Sequence, residues 1–354
     1  MRRAFLNRIG TAVPAFDIHA AFLAFGRAIL PDERSRALFE RMALLAEIDH
    51  RYSFLEPGPE PRDRFLDKAR FYERGKFPST AARMALYEPV ALELAVRAAA
   101  RLGLADIRGE LTHLIVASCT GFSAPGLDLH LASALGLNGD VERSIVGFQG
   151  CFSAVSALRL ARHIVRAEPG ARVLVLNVEL ASLHLQEKWE LETMLMFLLF
   201  ADGASACLVS AEPTGIELGA FQAAIIPRSQ DLITWHIGDQ GFEMRLSGQV
   251  PGRIRRYLLE QGRDLVEDAI ALWAVHAGGR TVLDAVQHGL ALPPSALHHS
   301  REVLRAYGNM SSATLVFVLE RILNEEGARG QGMAMAFGPG LSVETFRFRR
   351  VEGA

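Results

Sequence analysis

The run ARVLVLNVEL, residues 171–180, reads as a fully apolar strand in a stretch where strands alternate with helices. LTHLIVAS, residues 111–118, is a buried strand before it, and ADGASACLVSA, residues 201–211, is another after it. Two helices lie between the first two strands. One is APGLDLHLASALGL, opened by Pro125, and the other begins beside Cys151 in VGFQGCFSAVSALRLAR. Such alternation restricts the chain to an α/β layered fold. After about residue 212 the pattern resumes with IELGAFQAAII, a helix predicted from Arg253 to Ala269, and the strand LWAVHAG. The helices TVLDAVQHGL and SSATLVFVLERILNEE follow, then a closing strand pair in GMAMAFGPGLSVETFRFRR. Two halves of similar grammar, residues 1–212 and 213–354, suggest an internal duplication. Residues 1–110 read mainly as helices. PDERSRALFERMALLAEIDHRY spaces Leu38, Met42, Leu45 and Ile48 at a helical period, and MALYEPVALELAVRAAARLG closes at Gly103.

Composition narrows the function classes. Half of the 354 residues are apolar and 22% are charged, so the chain is globular. A net charge of −2 gives no reason to expect nucleic acid or a membrane as partner. Cys119, Cys151 and Cys207 are odd in number and lack CxxC spacing, which argues against a disulfide framework or a zinc site and fits a reducing cytoplasm. Asn7 and Arg8 interrupt the basic start, so no signal peptide is expected. Met194 to Ala201, MLMFLLFA, is too short to span a bilayer and reads as buried core. There is no HExxH, and FGPG at 337–340 lacks the GxGxxG pattern, so no metal or dinucleotide cofactor is expected. His298 and His299 read as solvated or capping residues beside a loop.

Three residues carry candidate chemistry, and each also has a plain structural reading. Cys151 at a helix start feels the positive end of the dipole, which favours thiolate, but a free cysteine also serves as a small buried residue. His276 ends the strand LWAV before a Gly-Gly turn, at the strand end that faces ligands in α/β folds, or else bonds to backbone there. Asn309 in YGNMSS precedes a helix and fits an N-cap.

Taken together in that chain order, Cys151, His276 and Asn309 form the constellation of decarboxylating condensing enzymes, and the sequence resembles a bacterial-type type III polyketide synthase of the chalcone synthase superfamily. QGCFSAVSALRLA, WAVHAGGRTVLDAV and YGNMSSATLVFVLE resemble the family's cysteine, histidine and asparagine motifs. LLFADGASACLVS resembles its gatekeeper segment and AFGPGLSVET its C-terminal glycine loop. The resemblance implies the thiolase fold, five layers in the order αβαβα built from two similar halves. The first half would carry the cysteine, and the second the histidine and asparagine. It implies malonyl-CoA and an acyl-CoA starter as substrates, no metal or redox cofactor, and a homodimer. Cys151 would be the nucleophile, with His276 lowering its pKa, and His276 and Asn309 would stabilise the oxyanion of decarboxylation.

Further residues follow from the same resemblance. Phe200 would be the gatekeeper, and Gly338 and Gly340 would let backbone pass close to the acyl chain. Cys119, Ala124, Ala181, His184, Met244 and Ser311 would line the cavity. Cys119 also fits a small buried cysteine, and His184 a buried, satisfied histidine. CoA contacts are expected at Arg41, Gly278 and Gly279. The family's three cationic phosphate contacts fall on Leu38, Arg41 and Leu45, so only Arg41 is retained, and Arg51 is a candidate replacement. Small side chains at Ala124 and Ala181 suggest an apolar channel for medium- or long-chain fatty acyl-CoA starters, giving alkylpyrones or alkylresorcinols, unless Trp189, Met194 or Phe197 fills the space. Two other readings use the same features: a ketoacyl-ACP synthase III, and a non-catalytic acyl-binding protein.

Overall fold

The computed structural model describes residues 2–60, 63–265 and 270–351. Its first half contains β1 (Phe5–Ala12), β2 (Phe16–Asp17), α1 (His19–Ile29), α2 (Glu33–Leu45), β3 (Tyr52–Ser53), α3 (Thr80–Arg101), β4 (His113–Ser118), α4 (Leu127–Ala134), β5 (Glu142–Gly147), α5 (Ser153–Ala167), β6 (Val173–Leu180), α6 (Leu191–Phe197) and β7 (Asp202–Ser210). The second contains β8 (Gly215–Ile225), β9 (Ile233–Gly238), β10 (Gly241–Leu246), α7 (Val250–Leu265), β11 (Leu272–Val275), α8 (Arg280–Gly289), α9 (His298–Tyr307), α10 (Ala313–Asn324), β12 (Gly330–Gly338) and β13 (Ser342–Val351). The predicted end of α7 at Ala269 lies outside the described residues.

Side-chain alternation along the strands builds the layers. Leu114, Val116, Leu174 and Leu176 pack with Leu94, Ala95 and Ala98 of α3, while their neighbours Ile115, Ala117, Val173 and Val175 pack with Ala154, Leu158 and Ala161 of α5. In the second half, Ala274, Ala334 and Ala336 share a core with α10, while Trp273, Val275, Met333 and Met335 share one with α7 and α8. Helices α5 and α10 therefore form a central layer between two half-sheets, with helices outside each: the expected αβαβα order.

The two half-sheets are joined more closely than anticipated. They form one nine-stranded ladder in the order β11-β12-β13-β8-β1-β7-β6-β4-β5. The seam is β1, which pairs with β7 from Phe5 to Ala12 and with β8 through Phe5 and Leu6. This strand was hidden in the part of the chain read mainly as helices. Its polar Asn7 interrupts the apolar pattern, and that side chain instead bonds the Glu212 and Thr214 carbonyls between β7 and β8. The exposed strand β5 and the hairpin β9–β10 were likewise unanticipated. The MLMFLLFA run is core: Met194, Phe197, Leu198 and Ala201 are buried. Among the described residues no helix is long and apolar enough to cross a membrane.

Leu158 sits fully buried on α5, between the half-sheets. Leu158→Ala should cost about 3–5 kcal/mol of unfolding free energy by chemical denaturation, because both neighbouring layers are rigid and cannot collapse into the space. A loss under about 1 kcal/mol would contradict this packing.

Candidate active site

Cys151 lies in a single turn, Gly150–Phe152, directly before α5. His276 follows β11, and its backbone N–H donates to Met335 O at 2.8 Å, extending the β11–β12 pairing by one residue. Asn309 lies between α9 and α10, bracketed by backbone bonds to the segment around Phe200: Asn309 N–H to Leu199 O at 2.8 Å, and Ala201 N–H to Asn309 O at 2.9 Å. These three residues, together with Phe200, line one cavity of about 670 Å³.

Asn309 is not the N-cap its position suggested. Helix α10 starts after Ser312, which makes no side-chain cap. Asn309 Oδ1 instead accepts from Ser311 N–H at 2.9 Å, and Nδ2 donates to Gly278 O at 3.3 Å. These bonds fix which end of the amide faces which way. They also hold Ser311 at φ +48°, a left-handed conformation that costs a serine about 1 kcal/mol or more. That conformation places Ser311 Oγ 3.8 Å from Cys151 Sγ.

His276 is the exception to the local bonding. It is 2% exposed, yet neither ring nitrogen has a protein partner. A buried polar atom without a partner ordinarily costs about 1–3 kcal/mol, so such groups gather where a ligand completes them. Burial drives His276 down to about 4 and pushes the Cys151 thiol up to about 12. The substrate-free site therefore holds a neutral imidazole and a thiol, and not the thiolate expected from the helix start.

Other anticipated residues divide. Cys119, Ala181, Met244, Ser311, Gly278, Gly279 and Gly338 line the cavity. Cys119 Sγ accepts Gly150 N–H at 2.9 Å, so its sulfur braces the cysteine turn. Gly338 is required by a close approach, since a Cβ there would meet Phe152 Cδ1 at 2.5 Å. Gly340 lies outside the lining, and its glycine is explained by φ +97°. Ala124 is exposed and outside the lining, so the expected channel does not start from it within this chain. His184 is also outside. Its Nε2–H donates to Thr120 O at 2.7 Å and its Nδ1 accepts Phe242 N–H at 3.0 Å, which leaves nothing for a substrate carbonyl.

The two basic candidates for phosphate differ as well. Arg41 is exposed on α2 beside the lining residue Met42, and is not itself in the lining. Arg51 is overturned as a phosphate contact. It is buried, with Nη1 donating to Phe197 O at 2.7 Å and Phe200 O at 2.8 Å, and Nε donating to His19 Nδ1 at 2.9 Å. It holds the Phe197–Phe200 segment. Of the paired histidines, His298 Nδ1 bonds Ser295 O at 2.9 Å, but His299 is buried with Nε2 3.0 Å from Glu325, and so is not solvated.

Sequence reasoning missed Glu179 and the apolar wall. Glu179 is fully buried at the end of β6, where its carboxyl accepts from Cys119 N–H, Thr120 Oγ1 and Ser312 Oγ. Burial raises it to about 7. A lone glutamate in an apolar strand was the available signal. Trp235, Leu246 and Ile254 line the cavity, and Trp235 Nε1 donates to Cys119 O at 2.9 Å. The alternating ITWHIG and GFEMRL around Asp239 and Gln240 carried a hairpin signal.

Comparison with known proteins follows this geometry. The N-terminal domain of chalcone and stilbene synthases matches residues 3–213, and their C-terminal domain matches residues 217–352. The chain is 35% identical to bisdemethoxycurcumin synthase of Oryza sativa subsp. japonica over 294 residues, 75% of this chain and 73% of that one. It is 32% identical to Type III polyketide synthase C of Arabidopsis thaliana over 262 residues, 68% of each. The crystal structure of PKS-I from the brown alga Ectocarpus siliculosus aligns over 99% of each chain with a TM-score of 0.87 and 26% identity.

The lowered His276 has a measurable consequence. Between about 4 and its ordinary 6.5, the unfolded chain binds a proton that the folded chain excludes. This contribution to stability is present above 6.5 and is lost as pH falls toward 4, on the order of 3 kcal/mol in all. His276→Gln should therefore lose less stability than the parent between pH 7 and 4.5, measured by denaturant midpoints at each pH. Equal losses would contradict the buried, neutral imidazole.

Proposed function

Because the chain belongs to the chalcone and stilbene synthase family, the type III polyketide synthases, we propose that Cys151 carries the growing acyl chain while His276 and Asn309 stabilise its oxyanions. Enzymes of this family are acyltransferases that extend an acyl-CoA by decarboxylative condensation with malonyl-CoA. The observation that carries the residue assignment is the buried, unpartnered imidazole of His276 in the same cavity as Cys151 and Asn309.

Loading begins with the Cys151 proton moving to His276 as sulfur attacks the starter thioester carbonyl. The bond to coenzyme A sulfur breaks, and the proton leaves with that thiol. Malonyl-CoA then loses CO₂, and negative charge develops on its thioester oxygen. A neutral imidazole has one N–H, and Asn309 Nδ2 has a hydrogen beyond the one aimed at Gly278, so both can donate to that oxygen. The carbanion attacks the Cys151 thioester and expels the cysteine thiolate. That thiolate then attacks the lengthened coenzyme A thioester, whose bond to sulfur breaks, and coenzyme A leaves as a thiol with a proton from water. No side chain acts as a strong base, since loss of CO₂ creates the nucleophile. Phe200 walls the passage against water, which would otherwise hydrolyse the thioester.

The starter we assign is a medium- or long-chain fatty acyl group, closing to an alkylpyrone or alkylresorcinol. The support is the apolar lining of the cavity, which includes Leu195, Ile233, Leu246, Val250 and Ile254 but not Ala124. Each buried CH₂ contributes about 0.8 kcal/mol, so affinity rises with chain length until the cavity is full. A homodimer is part of the same reading. Ile145 of the edge strand β5 is 53% exposed, with Leu129 at 45% and Phe122 at 41%, and Ala124 and Pro125 are exposed in the adjoining loop. The free thiols of Cys119, Cys151 and Cys207 suit the reducing cytoplasm expected for it.

Cys151→Ala should abolish acyl loading, read by intact mass spectrometry. His276→Ala and Asn309→Ala should each slow malonyl-CoA decarboxylation by about 10²–10³-fold, the usual effect of losing one oxyanion donor. Loading on the Cys151 variant, or parental decarboxylation in either of the others, would refute the assignments.

Ile254→Trp should shorten the accepted starter. Products from malonyl-CoA and a C2–C16 acyl-CoA panel, read by mass spectrometry, should lose the long-chain members while short ones persist. An unaltered profile would exclude the Ile254 wall of the cavity as the acyl site.

A further inference from the structure

Coenzyme A ends in a diphosphate and a ribose phosphate, and these anions need cations at the cavity mouth. Helix α2 forms one rim through Met42, Leu45 and Ala46, yet two of its expected cationic positions are Leu38 and Leu45. Arg41 stands outside the lining, and Arg51 is spent on backbone carbonyls. Among the described residues that line the cavity, one is an arginine or lysine: Arg280.

Arg280 opens α8, directly after the Gly278–Gly279 loop that also lines the cavity and receives the Asn309 amide. The helix start adds a positive dipole end to the guanidinium charge. Arg280 Nη1 bonds Glu47 Oε1 at 3.2 Å, tying the start of α8 to the residue just beyond Ala46. That pair is substantially exposed, and exposed pairs contribute only about 0–1 kcal/mol. Nε is buried with no hydrogen-bond partner, and Asp284 Oδ2, 3.9 Å from it, belongs to a group whose other oxygen Arg301 holds at 2.7 Å. A weakly held guanidinium with an idle donor is thus built into the wall, and the guanidinium fork matches the oxygens of a phosphate in bidentate geometry.

We propose that Arg280 exchanges Glu47 for a phosphate of the coenzyme A thioester and so replaces the cations missing from α2. The inference rests on the type III polyketide synthase reading for its ligand. It identifies the contact by which this chain distinguishes a coenzyme A thioester from a phosphate-free one.

The test is calorimetric binding of coenzyme A and of pantetheine, which lacks all the phosphates, to the full chain and to Arg280→Gln. The parent should prefer coenzyme A, and the variant should reduce that preference about tenfold. Arg256→Gln, an exposed arginine of α7 outside the cavity, should keep the parental preference and so excludes a general charge effect. A parental preference in Arg280→Gln, equal weakening of both ligands, or a parent without preference would each overturn the proposal. Turnover is read separately. If coenzyme A binds through Arg280 but malonyl-CoA yields no condensation product, the proposed function fails and the phosphate contact stands.

Discussion

Burial of α5 and α10 between the two half-sheets is the constraint on which the rest depends. Each helix must be apolar on the faces that meet sheet, and both are: Leu158 and Val165 on one, Leu315, Val318 and Ile322 on the other are fully buried. Confinement in one layer brings their N-terminal ends together. Cys151 immediately precedes α5, and Asn309 to Ser312 precede α10, so Ser311 Oγ comes 3.8 Å from Cys151 Sγ. The strand β11 beside that layer ends at the same place and delivers His276. Three distant sequence positions therefore converge because helices in one layer share a start, and not through any local signal.

Around this point the polar groups sort by whether the protein satisfies them. Arg51 gives three hydrogen bonds and fixes the carbonyls of Phe197 and Phe200. Glu179 ties the Cys119–Thr120 turn to Ser312. Burying either group would be costly without these partners. His276 shows the opposite pattern, with both nitrogens idle. Groups with several partners hold the frame in place, whereas the imidazole, which has none, lines the cavity.

Magnitudes explain why the cysteine is a thiol at rest. A helix start favours an anion by about 0.3–1 kcal/mol, rarely near 2. Each pK unit of desolvation opposes it by about 1.4 kcal/mol, and burial lifts Cys151 to about 12. Desolvation wins. In the proposed loading step the dipole would assist the sulfur only as its proton leaves for His276. A site kept neutral until substrate arrives also holds back a reactive thiolate from other electrophiles.

The layered α/β class, most helices and the order of Cys151, His276 and Asn309 were legible in the sequence, because apolar periodicity and chain order are local properties. Strand β1 was not, because it owes its place to pairing with β7 and β8, while Asn7 and Gly10 weaken its own pattern. The fates of the polar side chains were not legible either. Arg51 and Arg280 are both arginines in polar sequence, yet one is buried against carbonyls and the other lines the cavity. His184 and His276 both follow apolar strands, yet one has both nitrogens bonded and the other has neither. The sequence by itself determined which elements form and which residue types are present for chemistry. Only the tertiary structure decided which of those groups are left without a partner, because that depends on contacts between segments far apart in the chain, such as Arg51 with Phe197 and His184 with Phe242.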